Sequence, residues 1–148
     1  MRRLSIYLLA ISLSLATLLP AFAQDDVENL IQNALAQSES GNLDEAHTIL
    51  LQAVETTPDS SLAYTRLGGV ELLQQDYPSG IKHFQQAIML DRSNADAFVG
   101  MAVAYLHLGR YALAREALNE AERLGPTKKQ DIDKVLAWLD QRSGQYGH

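Results

Sequence analysis

From residue 27 onward the chain repeats itself every 34 residues, and no other feature limits its fold so tightly. Ala46, Gly80 and Ala114 fall in register, as do Leu50, Phe84 and Leu118, then Ala53, Ala87 and Ala121, and finally Leu43, Tyr77 and Tyr111. Pro58 and Pro126 stand two steps apart with Arg92 between them. Small and bulky apolar residues at fixed places over such a period mark units that cannot bury their apolar faces alone and therefore stack. The units read as 27–60, 61–94 and 95–128.

Inside each unit a shorter, helical period runs. Phe98, Met101, Ala102 and Tyr105 fall at i, i+3, i+4 and i+7, and beyond Gly109 the set Ala114, Leu118 and Ala121 makes a second stripe. Alanine or glycine at the repeated places lets two helix backbones approach until their bulky neighbours interdigitate. Asn42 followed by Glu45 predicts a capped helix start, Pro78 suits a first turn, and Pro126 ends the helix that runs to Leu124. Thr127 with Gln130 predicts a further capped helix over 129–143, ended by Gly144 and followed by a tail, 144–148. Its stripe of Ile132, Val135, Leu136 and Leu139 needs a surface, which the exposed end of the third unit provides; Trp138, at the stripe's edge, reads as a packing residue.

These residues resemble the tetratricopeptide repeat family, whose pattern places an aromatic, Leu-Gly and Tyr in a first helix, then Ala, Phe, Ala and Pro in a second. The second unit offers Tyr64, Leu67-Gly68, Gly80, Phe84 and Ala87; the third offers Phe98, Met101-Ala102, Tyr105, Ala114, Leu118, Ala121 and Pro126. The first is weaker. It keeps Leu30, Ala34, Ala46, Leu50, Ala53 and Pro58 but has Asn33 and Gln37 where apolar or aromatic residues are expected, as befits a terminal repeat with one side in solvent. The fold expected is all-α, a right-handed superhelical stack of three helix-turn-helix pairs closed by a C-terminal capping helix.

The resemblance also implies a non-enzymatic adaptor or assembly scaffold, with the first helices of successive repeats lining a concave groove for a protein or peptide. One subfamily grips a terminal carboxylate there with Lys, Asn and Arg. The matching positions are Ile31, Leu35, Arg66, Asp96 and Gly100, of which only Arg66 fits. The first helices instead carry Ile31 and Leu35, then Thr65, Gly69 and Leu72, then Val99, Val103 and Leu106, spaced by about a turn and opposite the packing stripe. With Arg66 and His107 they form the candidate groove for an apolar or amphipathic partner segment. Two other coverings stay open: superhelical stacking or the N-terminal stretch folded back, and a second copy in a homo-oligomeric structural protein.

The first 23 residues read as an address. Arg2 and Arg3 precede an uncharged run from Leu4 to Leu19, and Ala21-Phe22-Ala23 offers a cleavage site before Gln24. The expectation is a cleaved secretory signal and a periplasmic or secreted product beginning with a short segment, 24–26. The alternative is an uncleaved membrane anchor, although the run is shorter than the ~20 apolar residues a span usually needs. With no cysteine, disulfides and cysteine-linked lipids are excluded. An envelope protein is the expected partner.

Acidity and the absence of chemical motifs narrow the function. The chain has 12 basic and 18 acidic residues, net −6; without Arg2 and Arg3, 10 face 18, net −8. That balance argues against a nucleic-acid partner. His47, His83, His107 and His148 fall on different elements without metal-ligand spacing, Ser38, Ser40, Ser60 and Ser61 sit at turns and helix starts, and Gly68-Gly69 follows no strand. No metal, cofactor or catalytic constellation is expected.

Overall fold

The computed structural model describes residues 26–125 and 129–145, with side chains described as far as 141. The expected leader at 1–23, Gln24, Asp25, Pro126, Thr127, Lys128 and the last three residues of the expected tail, 146–148, lie outside the described residues. Seven helices and no strands make up the described chain. They are α1 (26–39), α2 (Leu43–Thr56), α3 (Ser61–Leu73), α4 (Tyr77–Leu90), α5 (Ala95–His107), α6 (Tyr111–Arg123) and α7 (Lys129–Gln145). α3 packs on α4 and α5 on α6 within pairs, while α2 on α3 and α4 on α5 join successive pairs into an all-α superhelical stack.

The 34-residue period is written into the turns. Gly41, Gln75 and Gly109, each one step apart, all have positive φ, at 82°, 66° and 69°. Each lets the next residue's N–H reach a carbonyl five residues back: Asn42 to Gln37 at 2.9 Å, Asp76 to Glu71 at 2.9 Å, Arg110 to Tyr105 at 2.8 Å. This closure satisfies helix-end carbonyls and needs a left-handed residue, which glycine supplies without steric cost. Gln75 adopts it with a side chain.

The helix starts are less uniform. Ser60, Asp76 and Asn94 accept from the backbone N–H three residues on, as caps do. Asn42 does not: its side chain donates to Gln37 Oε1 at 2.8 Å, across the turn instead of into the helix, so the expected cap is not made. Gly144 also lies inside α7, not at its end.

The core runs through the stack in contiguous pieces. Ala34, Ala46, Leu50, Ala53, Ala63 and Leu67 knit α1 to α3, Phe84 with Ala87 and Ala97 continues into α5, and Ala102, Leu118 and Ala121 meet Ile132 and Leu139 of α7. Phe84 is buried between two glycines. A Cβ added at Gly68 would stand 3.0 Å from its ring, and one at Gly100 would stand 2.3 Å from Cζ. Glycine at Gly100 is what lets α5 close on α4.

Candidate functional site

The first helix of an internal repeat is buried on three sides, and α3 shows how. Ala63, Leu67 and Val70 belong to the preceding repeat's core, whereas Tyr64 and Leu72 pack around Phe84, Ala87 and Ala97. Thr65 is 7% exposed; its hydroxyl donates to Ser61 O and accepts from Asn94 Nδ2, both at 2.8 Å, which ties α3 to the start of α5. A narrow arc is left to solvent: Leu62 at 41% and Leu73 at 60% exposure, part of Arg66, and Gly69, over which a Cβ would meet nothing within 4 Å.

The same arc recurs on the flanking helices. On α5 it comprises Asp96, Val103 and His107, all exposed, while Val99 and Leu106 turn into the cluster shared with α7. On α1 it comprises Glu28, Gln32 and Glu39, exposed, with Leu35 half-buried against its repeat's core; Ile31 is 2% exposed. Asn29, Asn33 and Ala36 of α1 are also exposed. Their positions correspond to Ala63, Leu67 and Val70, so the polar residues lie where an internal repeat would meet a preceding one.

The ten predicted face residues therefore divide. Leu35, Arg66, Gly69, Val103 and His107 reach the open arc. Ile31 and Thr65 are buried, whereas Leu72, Val99 and Leu106 are half-buried, Leu72 against the Phe84 cluster and Val99 with Leu106 against the cluster shared with α7. Ile31 and Thr65 are buried because stacked first helices touch one another as well as their own partners. Leu62 and Leu73 were missed, though both sit on the Arg66–Gly69 arc by helical spacing. Gly100, a position of the carboxylate-binding pattern, is covered by the Phe84 ring. His107 lies flat on Tyr77, centroids 4.7 Å apart and planes 8° apart.

Two profiles of the tetratricopeptide repeat match, over residues 31–93 and 71–139. This chain is a tetratricopeptide repeat protein. The Superkiller protein 3 of Schizosaccharomyces pombe is 32% identical over 83 residues, 56% of this chain and only 6% of that protein. Among solved structures, the Yersinia enterocolitica type III secretion chaperone SycD in complex with a peptide of the translocator YopD superposes with a TM-score of 0.76 at 20% identity, covering 80% of this chain and 95% of that one. The first tetratricopeptide repeat domain of Spaghetti (RPAP3) bound to an HSP90 peptide gives 0.75 at 16%, covering 80% and 93%.

One departure of this tetratricopeptide repeat protein from its family's pattern went unread in the sequence. Where the second repeat should carry the tyrosine of its first helix stands Glu71, 3% exposed. Its carboxylate lies 3.2 Å from His47 Nε2 of α2 and 2.7 Å from His83 Nδ1 of α4, and Tyr64 stacks on His83 with centroids 6.1 Å apart. One imidazole nitrogen stands against each carboxyl oxygen, so a proton between the two atoms of each pair completes a hydrogen bond. The buried acid is thereby satisfied on both oxygens. The signal available in the sequence was the acid itself at a family tyrosine position. Among the described residues no group of three His, Asp or Glu is arranged to hold a metal ion, and no helix is long and apolar enough to cross a membrane.

Proposed function

We propose that this protein is an exported, non-catalytic interaction module that receives an apolar or amphipathic segment of an envelope protein on the solvent arc of its first helices. The observation that carries the reading is the apolar stripe left exposed there: Leu62 at 41%, Leu73 at 60% and Val103 at 36%. With Leu35 beside them and open space over Gly69, these side chains offer anchors a partner can cover, in the manner of segments laid into apolar grooves. Neighbours of the same fold support the reading, since SycD and Spaghetti are each seen with a peptide bound. The acids of the arc, Glu28, Glu39 and Asp96, favour a partner segment carrying basic residues beside its apolar ones.

Leu73→Glu with Val103→Glu tests this. Both residues are exposed, so far-UV circular dichroism and the urea midpoint should stay close to wild type, within about 0.5 kcal/mol per site. Affinity for the partner should fall by at least about tenfold. Unchanged affinity in the folded double variant would overturn the reading. Export is tested separately by the intact mass of the protein from its native host: a chain starting at Gln24 supports it, and one retaining Arg2 and Arg3 in the membrane pellet refutes it.

A further inference from the structure

The chain's excess of acid is confined to its first repeat. Residues 27–60 carry six acids and no lysine or arginine, and Asp25 and Asp26 stand just before them. Every later unit balances, with three of each sign over 61–94, four over 95–128 and three over 129–148. Acids of the later units are also met by bases within the chain: Glu120 by Arg123, Glu122 by Lys129 and Asp131 by Lys134.

All seven acids between residues 26 and 59 are exposed. Gln32 donates to Glu28 and Gln74 to Asp44, each at 2.8 Å, but both donors are uncharged amides. Like charges gathered on one repeat repel one another and work against the compact state. Their field reaches about 8 Å at physiological ionic strength. Glu28 and Glu39 stand on the solvent arc itself, with half-buried Leu35 between them in sequence. Arg66, on α3 in the middle of the arc, repels a base, and Asp96, on α5, belongs to a balanced unit.

We infer that the partner segment crosses the arc in one direction, with a basic stretch seated over Glu28 and Glu39 of α1 and its apolar part reaching Leu62, Leu73 and Val103. Bases at the α1 end neutralise acids for which the first repeat holds no countercharge. Bases at the α5 end would leave those acids as they are and would enter a unit already balanced. The inference rests on the proposed binding arc and adds the partner's charge and its direction along the stack.

Two designed peptides test it on the full-length protein, each with a run of lysines at one end and a leucine-rich amphipathic stretch at the other. One carries a nitroxide at its lysine end and the other at its leucine end. In NMR spectra the lysine-end label should broaden the amide signals of α1 and α2, and the leucine-end label those of α5. Glu28→Lys with Glu39→Lys should slow association by at least about tenfold and flatten its dependence on salt, because steering charges act on the on-rate. Glu28→Gln with Glu39→Gln should act in the same direction, which keeps the test open if the reversal misfolds by circular dichroism. Glu116→Lys, a reversal in a balanced unit, should leave association nearly unchanged. A reversed pattern of broadening would overturn the inference, as would association slowed no more by the α1 variants than by Glu116→Lys. If Leu73→Glu still weakened binding in either case, the arc itself would stand. A wild type that binds neither peptide would sink both the arc and the direction.

Discussion

The two junctions between repeats are built from the same register and closed differently. At the first, His47, Glu71 and His83 meet; one step of 34 residues later the same three places hold Ile81, Tyr105 and Ala117. Three polar side chains bridge α2, α3 and α4 at the first junction, whereas at the second a recess of about 930 Å³ lies between α4 and α6, lined by Phe98, Met101 and Tyr105 of α5. Equivalent positions in a repeat stack fix where a side chain sits, and its size and polarity decide whether the junction is sealed. A sealed junction serves stability; an open apolar one is available to a partner.

Phe84 belongs to both junctions, since its ring lies between Gly68 and Gly100. Phe84→Ala should destabilise by about 3–5 kcal/mol. Hydrogen exchange should show α3 to α6 losing protection together. Protection lost from only one junction would mean that the two are not coupled through this ring.

His83→Ala addresses the first junction alone. It should cost about 1–3 kcal/mol in urea unfolding, because Glu71 keeps one imidazole and one of its buried oxygens loses its donor. No measurable loss would show that the polar closure contributes nothing beyond the packing around it.

The turns of the repeats offer a finer comparison, since only the middle one places a side chain at positive φ. Gln75→Gly should stabilise the fold by roughly 1 kcal/mol, the cost a non-glycine residue bears in that conformation. Gly109→Gln, the converse exchange, should destabilise by a similar amount. Thermal melts of the two variants shifting in the same direction would break the equivalence of the turns.

The smallest effect concerns the loop between α4 and α5, which has no identical counterpart between α2 and α3. Asp91 is held below the usual aspartate range by hydrogen bonds from the Ser93 hydroxyl and then its backbone N–H. A carboxyl with a lowered folded value favours folding above its unfolded value, and that contribution fades as pH falls through the folded one. Ser93→Ala should raise the Asp91 midpoint toward the ordinary value in an NMR titration. A midpoint that stays put would assign the shift to the backbone bond alone.

The sequence by itself determined the repeat length, the pairing of helices and the small residues where backbones meet, because these follow from periods of 34 and of about 3.6 residues. It also placed α7 as a cover, since a lone apolar stripe must be buried. Helical spacing assigns each side chain an angle around its axis. It does not say which neighbour occupies that angle. Only the tertiary structure therefore decided that Ile31 and Thr65 are buried, that Leu72, Val99 and Leu106 are half-covered by neighbouring helices, and that Leu62 and Leu73 share the solvent arc with Val103. The meeting of His47 and His83 on Glu71 was hidden for the same reason. Three residues on three helices, 24 and 12 positions apart along the chain, become neighbours only when the repeats stack.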